Sequence, residues 1–409
     1  MIEKLRSGAF LSPERLRVYP LILIVAYALS LAALVAGSHG GMDALQRPIG
    51  TDFSQVYAAG VFAQKGEPAK PFDNAAHAAM QRSLFGAATP FYSWGYPPYF
   101  LAVAALLASL PYLAALLVWQ GATLSIYLAA MWRILPLPGT LTVALAYPAV
   151  YINVTHGQNG FLTAGLMGGA LLLVEKRPWL AGALLGLTAY KPQFCLLLPV
   201  ALIAGRQWQC IASGALTVAA MTLATLFAFG VQSWTAFLDS LPFSREVVIE
   251  QGATGFEKFQ TVFGAVRLLG GSVHGAYAAQ GIAAFACAAI LAALWRSDTD
   301  QRLCAAALLS GALLATPYAL DYDMMMLGPA IALLVSYGLE HGFRPYEKLI
   351  LAVAFCMPLI ARSVAGATGV PIGVVSVVLL FALAPAKAFG SKRSAARPAA
   401  GLVERPSSS

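Results

Sequence analysis

Apolar runs of about 14 to 23 residues, parted by short polar breaks, recur along almost the whole chain. Runs of that length suit helices crossing a bilayer; barrel strands would be shorter and would alternate apolar with polar residues. The pattern predicts an all-α, polytopic transmembrane helical bundle of about 12 spans. The crossings are expected at residues 18–37, within 98–133, and at 139–154, 161–174, 179–190, 192–205, 208–230, 274–296, 303–316, 322–337, 348–362 and 370–386. Pro111 interrupts the second of these, whose first part reads as a short or re-entrant helix. The run at 18–37 follows a basic stretch, as a signal peptide's would. Its length and the many spans after it favour an uncleaved first helix.

Two polar segments break the rhythm, at 38–97 and 231–273, and read as long external loops. The first holds two helix-like pieces, 52–64 and 74–85, each with an aspartate at or near its start, where it suits a cap. Both carry an apolar and a polar face and are expected along the membrane surface. The domain reading is a cytoplasmic N-terminus (1–17), one transmembrane domain (18–387) and a disordered Ser/Ala/Pro/Arg-rich cytoplasmic tail (388–409). There is no internal repeat of the kind that marks many secondary transporters.

Composition agrees with the pattern: 59% hydrophobic, 11% charged, mean hydropathy +0.71. A water-soluble globular chain is excluded. The net charge of +8 is no nucleic-acid footprint, because the basic residues flank the apolar runs. With both termini inside, seventeen of the 26 Lys and Arg residues fall on the cytoplasmic side and nine outside, as the positive-inside rule requires. The five cysteines have no paired spacing and read as apolar packing residues, neither a disulfide framework nor a metal site.

On this topology six polar clusters share the external side. They are GTDFSQVYAAG (50–60), YSWGYPP (92–98), HGQNG (156–160), AYKPQF (189–194), EKFQTVFGAVR (257–267) and TPYALDYD (316–323). Ionisable groups at or near membrane depth are costly, so they mark functional candidates. Asp52 in the first loop is the leading one.

The motifs DFSQVYAAG, YPP, HGQN, YKPQ, QTVFGAVR and TPYALDYD, in that order from Asp52 to Asp323, resemble glycosyltransferase family 87. Its members are polyprenyl-phosphate-sugar-dependent membrane enzymes of the GT-C superfamily. The resemblance implies a bundle of GT-C type in a bacterial inner membrane, with its active site facing the periplasm. It implies transfer of a hexose, mannose favoured, from the lipid phosphate to a hydroxyl of a lipid or glycan, with inversion. Asp52 matches the first-loop acid that resembles the general base of the superfamily. An in-line displacement needs such a carboxylate for the acceptor proton, and cations for the departing phosphate. Lys191, Arg267 and Lys258 are the expected phosphate-binding residues. Tyr57, Tyr96, His156, Gln158, Asn159, Gln193, Gln260, Tyr318, Asp321, Tyr322 and Asp323 are the expected substrate-binding residues. No cofactor or divalent metal is expected, and the lipid-linked sugar is itself the donor. The chain departs from the family in lacking the histidine-rich segment that some members carry near 316–323, and in placing Asn159 directly after Gln158.

Other readings stand beside these. Asp52 also suits a helix cap, Lys191 a snorkelling interface lysine, and Gln158 and Asn159 a tight turn. His156 suits a turn or interface residue, and Glu257 with Lys258 a solvated loop pair. Tyr92, Trp94, Tyr96 and Tyr99 suit an aromatic belt. Asp321 and Asp323, beside an apolar Met-rich run, need partners. At the level of the whole protein the alternative is a transporter or flippase, which would place acids or broken helices at the bilayer midplane.

Overall fold

The computed structural model describes residues 1–395, and these are helical, with only isolated bridges such as Phe259 with Leu320. Among the described residues, seven helices are long and apolar enough to cross a membrane: Pro13–Ala36, Tyr112–Ile134, Trp208–Glu250, Val273–Arg296, Asp321–His341, Glu347–Thr368 and Ile372–Gly390. Shorter apolar helices are Pro98–Leu107, Gly160–Leu171, Pro192–Ala204 and Gln301–Ala315. The remaining predicted crossings are not single rods. The 139–154 run divides into Thr140–Ala146 and Pro148–His156, because Pro148 cannot continue the preceding turn. The 179–190 run tightens from Pro178–Gly186 into a 3₁₀ turn, Leu187–Tyr190. Pro111 ends one helix and starts the next, as expected.

Pro13–Ala36 and Trp208–Glu250 lie at the periphery, whereas Asp321–His341 is the most deeply buried of the seven. The acids at its start are therefore enclosed by protein. Both Asp321 and Asp323 are buried.

Three expectations are corrected. Residues 231–273 are not an open loop. The helix that begins at Trp208 breaks at Gly230 (φ 71°, ψ 170°), at the end of the expected crossing, a second helical stretch runs on from there to Phe243, and Val262–Leu268 follows. Val231, Trp234, Leu238 and Leu241 recur at helical spacing, which explains the continuation. The final helix, Ile372–Ala395, extends past residue 388, where the tail was expected to begin. The rest of that tail, 396–409, lies outside the described residues. Third, the first-loop helix is Phe53–Gln64 and is buried around most of its circumference. Its small residues let it press against Pro98–Leu107: a Cβ on Gly60 would strike the Ala104 carbonyl. Gln64 Nε2 donates to the Ala105 carbonyl at 2.9 Å, and Tyr57 Oη to that of Leu110 at 2.9 Å. The second, Asn74–Phe85, has Asp73 as its cap, accepting from the Ala75 and Ala76 N–H groups at 2.9 and 3.1 Å.

Candidate active site

Asp52 is held at its place by two glycines. Gly50 and Gly157 both have positive φ, 75° and 62°, and a Cβ on Gly157 would approach the Gly50 oxygen to 2.9 Å and the Phe53 Cβ to 2.6 Å. Only glycine permits this contact between the first loop and the HGQNG turn. The loop is further tied by Tyr112 Oη, which donates to the Ile49 carbonyl at 2.7 Å. Upstream, Asp43 folds the turn by accepting from Leu45 N–H, Arg47 N–H and the Arg47 side chain. Burial alone would raise the Asp43 carboxyl; the Arg47 and Leu45 bonds override it and hold the group below its ordinary value.

The Asp52 side chain does not cap its helix. Its Oδ2 accepts from Gln158 Nε2 at 2.6 Å. Gln158 is in turn steadied by Gln120, whose Nε2 donates to the Gln158 carbonyl at 3.1 Å. Asn159 Nδ2 donates to Tyr96 Oη at 2.9 Å, and Thr163 and Tyr190 share a hydroxyl contact of 2.6 Å beneath it. Burial pushes the Tyr96 hydroxyl well above its ordinary value, and Tyr318, Asp52, Asp323 and Tyr190 add to the rise. Tyr96 thus feels the charges of both the first-loop acid and the acid of the central helix.

The second half of the cluster is an ion pair. Lys191 Nζ lies 2.6 Å from Asp323 Oδ1, and both side chains are almost fully buried. Lys191 is therefore not a snorkelling interface residue. Its ammonium also lies 5.1 Å from the centre of the Tyr322 ring and 5.6 Å from that of Phe194. Asp323 Oδ2 accepts from Leu320 N–H at 3.0 Å, closing the 3₁₀ turn Asp321–Met326. Asn153 joins this turn to the HGQNG turn. Its Nδ2 donates to the Tyr322 carbonyl at 2.9 Å, and its Oδ1 accepts from Gly160 N–H at 2.9 Å.

A neighbouring group forms around Asp321. Arg362 lies 3.6 Å from its Oδ2, with His156 and Lys258 in the same neighbourhood. His156 Nδ1 sits 2.9 Å from the Ile152 carbonyl and 3.1 Å from Thr155 Oγ1. Gln260 N–H donates to the Ala319 carbonyl at 2.9 Å, and the Phe259 ring meets Tyr318 edge-on at 5.7 Å. Gln193, half-buried, follows Lys191 in the turn Pro192–Cys195.

The structure thus gathers Asp52, Tyr96, Gln158, Asn159, Lys191, Tyr318, Tyr322 and Asp323, with Asp321, His156, Lys258 and Gln260 beside them. Two expected residues are engaged in local structure. Tyr57 fastens its helix to Leu110, as above. Arg267 donates to the Gly271 carbonyl at 2.8 Å and the Glu250 carbonyl at 3.2 Å, and lies over the Phe256 ring. Its guanidinium braces the segment before Val273–Arg296. Sequence reasoning missed Gln120, Asn153, Tyr190 and Arg362. For Gln120 and Asn153 the signal was present: an amide within an apolar helix needs a reason. Several polar atoms around Asp52 and Gln158 are buried without a hydrogen-bond partner among the described residues: Thr51 Oγ1, Ser54 Oγ, Gln55 Oε1, Gln120 Oε1 and Asn159 Oδ1. Such groups suit a ligand rich in hydroxyls.

Among the described residues no group of three or more His, Cys, Asp or Glu side chains has the arrangement of a metal site. Comparison with curated proteins and with solved structures found no match. A family's sequence model does match, over residues 94–317: glycosyltransferase family 87. That span takes in Tyr96, the HGQNG turn and Lys191, while Asp52 and the two acids of the central helix lie outside it and join the site through the contacts above. Since the match covers more than half of the 409 residues, the chain belongs to glycosyltransferase family 87 and is a membrane-embedded sugar transferase.

Proposed function

We propose that the enzyme transfers a hexose, mannose favoured, from a polyprenyl-phosphate donor to a hydroxyl of a lipid or glycan acceptor, with inversion. The observation that carries this reading is the Asp52 carboxylate. It leaves its helix uncapped and is instead aimed by Gln158 into a buried polar cluster that also holds a cation, Lys191. In the proposed step the acceptor oxygen attacks the anomeric carbon while Asp52 takes its proton. The bond from that carbon to the phosphate oxygen breaks, and polyprenyl phosphate leaves with the electron pair.

Lys191 has three N–H donors, of which one is used by Asp323, so a departing phosphate oxygen is a fitting second partner. Asp323 then orients the ammonium rather than merely neutralising it. Lys258, near Asp321, is the next cation in line. The unpartnered hydroxyl and amide oxygens around Asp52 suit recognition of sugar hydroxyls. No cofactor enters this scheme. We place the enzyme in a bacterial inner membrane with the cluster towards the periplasm, on the strength of the Lys and Arg distribution.

The test is a donor panel offered to the purified protein in nanodiscs with a membrane glycolipid extract as acceptor. Release of polyprenyl phosphate from polyprenyl-phosphate mannose is the expected result. Turnover confined to nucleotide sugars would refute the reading.

A further inference from the structure

A second polar cleft lies at the far end of the segment that starts beside Lys191. From Pro192 the chain descends through the apolar stretch Pro192–Ala204 to a turn at Gly205 and Arg206. There a cleft of about 740 Å³ is lined by that turn, Trp208, and the end of the Val273–Arg296 helix with Ser297 and Asp298. Nothing in the sugar-transfer chemistry uses it.

Three features of the cleft point to an anion. Arg206 and Arg296 both line it, and neither side chain forms an ion pair or hydrogen bond among the described residues. Two guanidinium charges against the single carboxylate of Asp298 leave it cationic. Trp295, buried in the wall, has its Nε1–H without a partner, a donor of the kind that native interiors rarely strand. The backbone adds a third sign. Gln207 N–H reaches the Leu202 carbonyl and Arg206 N–H that of Ile203, a Schellman turn with Arg206 at φ 54°. Glycine is the relaxed choice at that position, so presenting an arginine there carries backbone strain.

The cleft is also amphiphilic in its surroundings. Ile203 lines it and lines a second cavity as well, an apolar one of about 230 Å³ between Pro178–Gly186, Leu198–Ala204 and Trp208–Phe243. Leu185, Leu202, Ile211 and Val218 are among its walls. Beside the junction, Ile203 and Trp208 are more than half exposed, as residues facing lipid are. A headgroup site thus continues into a groove of acyl-chain character.

We propose that this cleft holds the phosphate of an anionic phospholipid, bound between Arg206 and Arg296 with the Trp295 indole N–H as a further donor, and that one acyl chain lies in the apolar cavity beginning at Ile203. The lipid belongs to the leaflet opposite the sugar-transfer cluster and pins the Leu198–Ala204 helix to the end of Val273–Arg296. This assignment is independent of which sugar or donor the enzyme uses.

The test is native mass spectrometry of the full-length, delipidated protein titrated with phosphatidylglycerol, phosphatidylcholine of the same chains, and inorganic phosphate. One phosphatidylglycerol should bind tighter than phosphatidylcholine by about tenfold or more, the scale of two cations near an anionic headgroup. Arg206→Gln with Arg296→Gln should abolish that preference, and the Lys pair at the same positions should retain most of it. Trp295→Phe should weaken binding several-fold, and Ile203→Trp, which leaves both arginines in place, should weaken it for long-chain lipid. A preference that survives the double Gln variant overturns the proposal, as does wild-type protein that binds both lipids equally. Should the Gln pair fail to fold, unchanged affinity in both the Trp295 and Ile203 variants overturns it. Full displacement of the lipid by millimolar phosphate would make this a free-anion site and contradict the lipid assignment.

Discussion

Lys191 and Asp323 form the pair on which the interior of the site depends. Two charges buried this deeply gain little net stability together, because each loses its hydration, but removing one strands the other. Lys191→Met should therefore lower stability by about 3–5 kcal/mol, seen as a fall in the thermal unfolding midpoint in detergent. Asp323→Asn keeps an acceptor for the Leu320 N–H, so the double variant Lys191→Met with Asp323→Asn should recover much of that loss while remaining inactive. A double variant as unstable as the single one would show that the charges are not coupled. At this scale the sequence was informative about residue type but not about pairing. Asp323 was recognisable as an acid in need of a partner. That the partner is Lys191, 132 positions earlier, follows only from packing of the central helix against the Lys191 turn. Arg267 shows the converse: a cation in a family-like motif, drawn into bonds with the carbonyls of Glu250 and Gly271 that no spacing rule announces.

The first loop is the element that sets the acid in place, and its helices were legible to within a residue, at Phe53–Gln64 and Asn74–Phe85. Their depth was not. Ala58, Ala59 and Gly60 look like a weak helix face in sequence but form the surface through which Phe53–Gln64 sinks against its neighbour. The same packing buries His77 in the second helix, near the rings of Phe62 and Phe91, with neither ring nitrogen partnered among the described residues. Burial pushes the His77 imidazole down to about 3. Its folded-state value is depressed, so the group stays neutral in the folded loop and takes up a proton near 6.5 when the loop opens. The loop is then fully stable above about pH 6.5 and loses stability as pH falls from there towards 3, by about 2 kcal/mol at pH 5. Divided by the intrinsic rate, which itself falls over this range, hydrogen exchange of amides in 74–85 should show an excess of opening at pH 5 over pH 7. His77→Phe should remove that excess; an excess that persists would place the acid sensitivity elsewhere.

For the whole molecule, hydropathy was a sound guide to class and a poor one to continuity. It found the helical bundle and the break at Pro111, yet it drew rods where the chain is broken, as at Pro148 and at the 3₁₀ turns on either side of Lys191. The breaks are where the site is built. Backbone that leaves the helical ladder inside a membrane protein must find partners in the protein, and here Asn153 and Tyr147 supply them to the turn at Asp321–Met326. The broken and re-entrant pieces bring the amides, the lysine and the acids to one place, an arrangement that a bundle of straight spans would not allow. Family membership and this helical architecture agree on a membrane-embedded sugar transferase.

Everything in that account turns on whether the Asp52 carboxylate takes the acceptor proton. Single-turnover transfer from polyprenyl-phosphate mannose, measured for wild type and Asp52→Asn alongside donor binding, tests it most directly. The amide keeps the size of the side chain but not its basicity. Transfer should fall by about 10²–10⁴-fold with donor affinity nearly unchanged. An Asn variant that transfers sugar at the wild-type rate would contradict the assignment of Asp52 as the base.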